Sequence, residues 1–310
     1  MKSLTHLDQY REIKQCILTI GTFDGVHFGH QKILKSLVEE AKGRGLFANV
    51  LTFFPHPRMV LQQDQSIKLI DTMEEKKEAL AALGIDHLII HPFSQDFARL
   101  TALDFVRKVL VEQLHVAKIM VGYDHRFGRN REATAEDLKE LGNTYDFEVT
   151  TIPSQEVSSI AVSSTKIRKA LEEGNISVAN QYLNRPYQIR GKVVRGEGIG
   201  RTLSFPTANI KVANSYKLLP ATGVYLVTVT HEGQSYFGMM NYGTRPTLNG
   251  SQATLEVHLF SFDKDLYGQE LTLELHLKIR DEQKFDSLEA LQTQIGKDKA
   301  FCLQHIEQNF

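Results

Sequence analysis

The pattern of apolar runs changes at Asn184-Arg185-Pro186, and no single fold class accommodates the chain on both sides of it. Before the junction, strand-like runs at 16–20, 48–53, 87–91, 118–121 and 147–152 alternate with amphipathic helical stretches. Between the first two runs a helix is expected over 31–43, with Ile33, Leu34, Leu37, Val38 and Ala41 at helical spacing and Gly43 and Gly45 to stop it. A second helix is expected over 72–83, stopped by Gly84. A third is expected from about 102 to 114, with Leu103, Val106, Val109, Leu110 and Leu114 as its apolar stripe. Such alternation implies an α/β fold, a parallel right-handed sheet with helices on both faces.

After the junction the period shortens to two. Runs at 187–194, 223–230, 235–241, 253–260 and 270–279 read as strands, several separated by turns at Gly233, Gly250 and Gly268. A last helix is expected from Ser287 to about Gln308, carrying Leu288, Leu291, Ile295, Phe301, Leu303 and Ile306, with Gly296 as a point of interruption. An all-β barrel closed by a terminal helix is the simplest architecture, because closure removes exposed edges. Two domains also suit 310 residues.

Thirty-six basic against 37 acidic residues leave a formal charge of -1, with no excess to neutralise a phosphate backbone. A nucleic-acid partner is therefore not expected. The first residues, Met1 to His6, lack the apolar core of a signal peptide, and no apolar run reaches membrane-spanning length, so no membrane partner is expected. Cys16 and Cys302 read as reduced core residues, which fits a cytoplasmic protein. The expected partners are small-molecule substrates, and any homo-oligomer is expected to be weak or transient.

The densest chemistry follows the first strand. Gly21-Thr22-Phe23-Asp24-Gly25 is a glycine-rich turn leading to His27 and His30 at the mouth of a helix. Glycines let a backbone approach phosphate closely, and a helix N-terminus offers unpaired N–H groups. Two imidazoles three residues apart add donors. The turn has neither the spacing of a P-loop nor a dinucleotide fingerprint. Nucleotidyl transfer suits it better: an ionised phosphate needs no base, only alignment and charge stabilisation.

Other loops are expected at the same rim of the sheet: Phe54-Pro55-His56-Pro57, and Gly122 to Gly128 with Asp124. His56 reads equally well as a turn filler. Ser163, Ser164 and Thr165 are candidates to cap a helix whose Arg168 would clamp the departing phosphates; the plainer reading is a capped helix with a surface arginine.

In the second half, Gly198, Gly200 and Arg201 lie in a loop suited to folding over phosphates. It runs into Pro206-Thr207-Ala208-Asn209, where a hydroxyl and an amide share one face of an extended segment. Both are hard oxygen ligands suited to Mg²⁺, although such a pair also closes turns. In 254–259, alternation puts Leu255, Val257 and Leu259 opposite Glu256 and His258. If the odd-numbered face packs into the helix layer, Glu256 faces a polar cavity. There it is a candidate base for an alcohol, rather than a merely solvated strand glutamate.

GTFDGVHFGH, VGYDHRFG and VSSTKIR together resemble the adenylyltransferase half of the bacterial bifunctional riboflavin kinase/FAD synthetases. GEGIGRTLSFPTANI, GVYLV, MNYGTRPT and TLEVHLFSFDKDLYG resemble the riboflavin kinase half of the same enzymes, in the same order. The resemblance implies a Rossmann-like nucleotidyltransferase domain over 1–185 and a six-stranded barrel with a terminal helix over 186–310. It implies that His27, His30 and Arg168 handle ATP phosphates, that Thr207 and Asn209 hold the metal and phosphates, and that Glu256 is the base. Mg²⁺, ATP, riboflavin, FMN and FAD are the implied cofactor, co-substrate, substrates and products. Two positions depart from the family pattern: His125 stands where phenylalanine is usual, and Ser204 replaces a glycine.

Two rival readings remain at this level. A transferase for another phosphorylated acceptor would share the first motif but not the kinase-like half. A non-catalytic flavin sensor would bind flavin without ATP-dependent turnover.

Overall fold

The computed structural model describes residues 1–62, 66–152, 162–196, 205–247 and 250–310. Chain packing divides it into two units, Met1–Ser164 and Thr165–Phe310.

The first unit is a six-stranded sheet: β1 (Lys2–Leu4), β2 (Cys16–Ile20), β3 (Phe47–Phe53), β4 (His87–His91), β5 (Val116–Gly122) and β6 (Glu148–Ile152). Their order is β1-β4-β3-β2-β5-β6, and every pairing is parallel. Both faces are covered, which is why the central strands read as continuous apolar runs. Leu18, Leu51, Ile89 and Ile119 pack with Val106, Leu110 and Leu138 on one face. Ile17, Val50, Leu88 and Met120 pack with Leu34, Leu37 and Leu80 on the other.

Two of the expected helices differ from the sequence reading. The first helix begins at Phe28, ahead of Gln31. The third is α-helical only over Ala102–Asp104 and winds as a π-helix over Phe105–Gln113, closing with Leu114 N–H donating to Val109 O. Bonds across five residues shift the buried stripe: Phe105 is buried and Leu103 is 52% exposed.

The second unit is a closed barrel of β7 (Tyr187–Val194), β8 (Ala208–Lys211), β9 (Gly223–His231), β10 (Gln234–Thr247), β11 (Gly250–Leu259) and β12 (Glu270–Arg280). The strands run β10-β11-β8-β7-β12-β9, all antiparallel. Ile189, Tyr225, Met240, Val257 and Leu273 are buried in its core. On the other face, Val224, Leu226, Met239 and Phe260 pack with Cys302, Ile295 and Ile306 of the Leu288–Asn309 helix.

That helix runs through Gly296 without a break. Its packed stripe is Ile295, Asp298, Cys302 and Ile306, while Leu288, Phe301 and Leu303 are exposed. Asp298 is buried because it accepts from Arg280, with Nε at 2.9 and 3.1 Å from the two carboxylate oxygens.

The Ser164–Glu172 and Ile176–Leu183 helices fall before the 185/186 junction in sequence, yet they pack with the barrel. Ala221 N–H donates to Leu171 O, and Asn180 donates to Leu275 O while accepting from Tyr187 N–H.

Candidate active sites

In the first unit the Gly21–His30 segment leaves the carboxyl end of β2, the rim where open α/β sheets bind ligands. Three of its carbonyls are held by side chains. Thr22 O accepts from Lys76 Nζ at 2.7 Å and from Thr52 Oγ1 at 3.4 Å. Asp24 O accepts from Ser164 Oγ at 2.9 Å, and Val26 O from Gln31 Nε2 at 2.9 Å. Phe23 (φ 44°), Gly25 (φ 88°) and Val26 (φ 38°) all occupy the left-handed region. A β-branched residue there costs on the order of 1–3 kcal/mol and persists only where its surroundings over-determine it. The held carbonyls, with Phe23 and Val26 buried beside Leu34 and Leu37, supply that constraint.

His27 does not lie in the helical turn but caps it, its Nδ1 accepting from His30 N–H at 3.4 Å. The proton of the neutral ring is therefore on Nε2. The His30 ring stacks on His27, centroids 3.6 Å apart at 16°, and meets Phe23 edge-on at 5.2 Å. His30 Nδ1 is buried without a partner among the described residues. Burial pushes His27 down to about 4 and His30 well below its usual value. Both rings are thus neutral near pH 7, each carrying a single N–H and no positive charge.

The Asp24 carboxylate is turned inward, accepting from Ile70 N–H at 3.0 Å. Gly122 ends β5 and its carbonyl accepts from His125 N–H, closing a turn on which Asp124 is exposed. The His125 ring lies parallel to that of Phe127 at 5.9 Å, and burial lowers its pKa to about 4. His56 caps the Pro57–Leu61 helix by accepting from Arg58 N–H at 3.2 Å, the turn-forming alternative. Ser163 is half-buried, Ser164 begins its helix, Thr165 is exposed, and Arg168 is half-buried four residues further along.

The sequence reading did not single out Asp71 and Lys76, which are 1% and 3% exposed behind this turn. Thr72 and Glu75, which form a capping box between them, were the visible signal.

Neutral buried histidines carry a stability consequence. For His27 and His91, both lowered to about 4 by burial, the unfolded chain takes up protons near pH 6.5 that the native fold refuses. Their contribution is present above pH 6.5 and lost as the pH falls to 4, by on the order of 3 kcal/mol each. Protection factors of the β2 and β3 amides, taken relative to the intrinsic exchange rate at each pH, are expected to fall over that interval; equal protection factors at pH 7 and pH 4.5 would contradict the assignment.

In the second unit, pairing aligns Asn241 of β10, Glu256 of β11 and Asn209 of β8 side by side. Residues so paired share one face of the sheet. Thr207, just before β8, donates its hydroxyl to Glu256 Oε2 at 3.1 Å. His258 Nδ1 lies 2.8 Å from Pro206 O and donates to it, leaving Nε2 buried without a partner among the described residues. Burial lowers the pKa of this ring.

The odd-numbered face of β11 packs inside the barrel, Val257 opposite Met240, and not against the helix layer. It is the even-numbered face, with His258 opposite Met239, that adjoins the terminal helix. Glu256 therefore lies on the outer surface of the barrel wall. Asn241, inside the quoted MNYG run, was not singled out from sequence, because only the pairing shows it beside Glu256. Gly198, Gly200, Arg201 and Ser204 lie outside the described residues.

Residues 9–166 match the family model described as FAD synthetase, and residues 183–306 match that described as riboflavin kinase. The curated "Bifunctional riboflavin kinase/FMN adenylyltransferase" of Escherichia coli (strain K12) is 40% identical over 285 residues, 92% of this chain and 90% of that one. The protein of that description from Listeria monocytogenes is 37% identical over 294 residues, 94% and 92% of the two chains. A crystal structure titled "Macrolide-efflux Protein from Streptococcus pneumoniae" superimposes with a TM-score of 0.86 at 31% identity, covering 99% of this chain and 98% of that one. With a parallel sheet carrying the first match and a closed barrel carrying the second, the chain belongs to the bifunctional riboflavin kinase/FMN adenylyltransferase family.

Proposed function

We propose that the two activities of this enzyme, phosphorylation of riboflavin to FMN and adenylylation of FMN to FAD, are divided between the two sites by their need for a base. One observation carries the reading: the barrel site holds a carboxylate hydrogen-bonded to a hydroxyl, whereas the rim site presents two neutral stacked imidazoles.

In the adenylyltransferase an FMN phosphate oxygen attacks the α-phosphorus of ATP, and pyrophosphate leaves with the bonding electrons. No proton changes hands. His27 and His30 donate N–H to the phosphates, and the unpartnered His30 Nδ1 supports a ligand contact there. Gly21, Thr22, Phe23, Asp24, Gly25, Gly122 and Asp124 frame the nucleotide. Arg168 shares the helix face of Ser164, and its guanidinium takes the leaving phosphates. The proposed functional boundary is 185/186, which assigns Arg168 to the transferase by its role, while the Ser164–Glu172 helix packs with the barrel.

In the kinase the riboflavin 5′-hydroxyl attacks the γ-phosphorus, its proton passes to Glu256, and ADP departs. Thr207 and Asn209 would hold Mg²⁺. A hydroxyl whose proton is committed to Glu256 presents its lone pairs elsewhere, as a neutral oxygen ligand must. When bound, the ion offsets charge on the phosphates. Pro206, Gly198, Gly200 and Arg201 are assigned to contacts with the same nucleotide. Two free buried cysteines support a reducing, cytoplasmic setting.

Chelation with EDTA tests the donor set. Riboflavin phosphorylation is expected to stop and to return with Mg²⁺, and Asn209→Leu is expected to raise the Mg²⁺ needed for half-maximal rate about tenfold or more. An unchanged requirement in that variant would remove Asn209 from the site.

A further inference from the structure

The Met73–Ala82 helix opens with Glu74, Glu75, Lys76, Lys77 and Glu78, the composition of a solvated face, yet Lys76 is 3% exposed. Withdrawing an ammonium from water is costly, and the helix does not need it: the capping box uses Thr72 and Glu75. The Lys76 side chain instead reaches Thr22 O at 2.7 Å. The negative charges of Asp24 and Asp71, both buried, act on the ammonium and oppose the burial that lowers its pKa.

The Thr22–Phe23 peptide is trans, so its N–H points opposite to the carbonyl that Lys76 draws in. Among the described residues, Phe23 N–H donates to no protein acceptor. The ammonium thus fixes the orientation of one backbone donor in the turn that precedes His27 and His30.

We propose that Lys76 is a positioning residue for the triphosphate of the adenylyltransferase site: by holding the Thr22 carbonyl inward, it aims the Phe23 N–H at a phosphate oxygen. The proposal rests on the reading that ATP phosphates lie at His27 and His30. It differs from a purely structural role because it predicts an effect on one substrate and not the other.

Steady-state kinetics of the full chain separate the two. In Lys76→Met, the KM for ATP in FMN adenylylation is expected to rise about tenfold or more. The KM for FMN and the rate of riboflavin phosphorylation are expected to stay within about twofold of the parent values. An unchanged KM for ATP, or equal rises for ATP and FMN, would overturn the proposal.

If Lys76→Met loses hydrogen-exchange protection at β2 and β3, the measurement is made on Lys76→Gln, which is uncharged and one atom too short for the carbonyl. The same ATP-selective rise supports the proposal, and parent-like or unselective kinetics overturn it. His27→Asn/His30→Ala in the same assay separates the two failures. If that variant loses adenylylation while the lysine variants behave as the parent, only the role of Lys76 falls. If it retains parent kinetics, the phosphate assignment falls and the Lys76 proposal with it.

Discussion

Glu256→Gln is expected to lower riboflavin phosphorylation by about a hundredfold to ten-thousandfold, the usual contribution of a positioned general base. FMN adenylylation by the same preparation should be unchanged. The substitution suits the site, because the amide oxygen still accepts from the Thr207 hydroxyl and Asn209 and Asn241 keep their paired neighbour. What is lost is the ability to take the hydroxyl proton as the γ-phosphoryl group transfers. FMN formation from riboflavin, ATP and Mg²⁺ measures it. A loss confined to KM with kcat intact would mean that the carboxylate binds substrate but does not accept its proton.

The complementary result is expected at the rim of the parallel sheet. Replacing both His27 and His30 should cut FMN adenylylation by about a thousandfold or more, because in the proposed role each ring donates to charge developing on the phosphates. His27 also caps the Phe28–Gly43 helix, so alanine there removes a cap worth about 1 kcal/mol. His27→Asn keeps an acceptor for His30 N–H, and the pair His27→Asn/His30→Ala therefore separates chemistry from stability. FAD formed from supplied FMN is the readout, and riboflavin phosphorylation in the barrel serves as the control for intact protein.

Much of this arrangement was legible in the residues, for physical reasons that differ from place to place. The central parallel strands are buried on both faces, so β2 (CILTI) and β4 (HLIIH) read as short, mostly apolar runs with the observed bounds. β1 was invisible because it is a three-residue edge strand with only Leu4 buried. β8 is four residues long, and the Thr207-Ala208-Asn209 segment that leads into it was seen for its oxygen donors rather than as part of a ladder.

Helical periodicity failed where the helix itself was irregular or only partly buried. Leu103 precedes a π-helical run, and Phe301 and Leu303 face solvent on the terminal helix. Alternation separated Glu256 from Val257 correctly but could not say which face adjoins the terminal helix, since both faces of β11 carry large side chains. Lys76 was hidden for the opposite reason: a charge in a run of charges reads as surface, and only the packing shows it reaching Thr22 O.

The most direct measurement follows both products, FMN and FAD, by chromatography in full-length Glu256→Gln and His27→Asn/His30→Ala, each supplied in turn with riboflavin and with FMN. The account holds that the two halves differ in whether a carboxylate must receive a proton, so the first variant should make FAD only when FMN is provided, and the second should accumulate FMN from the vitamin without converting it. Loss of FAD formation from supplied FMN in folded Glu256→Gln, or loss of FMN formation from riboflavin in folded His27→Asn/His30→Ala, would contradict it.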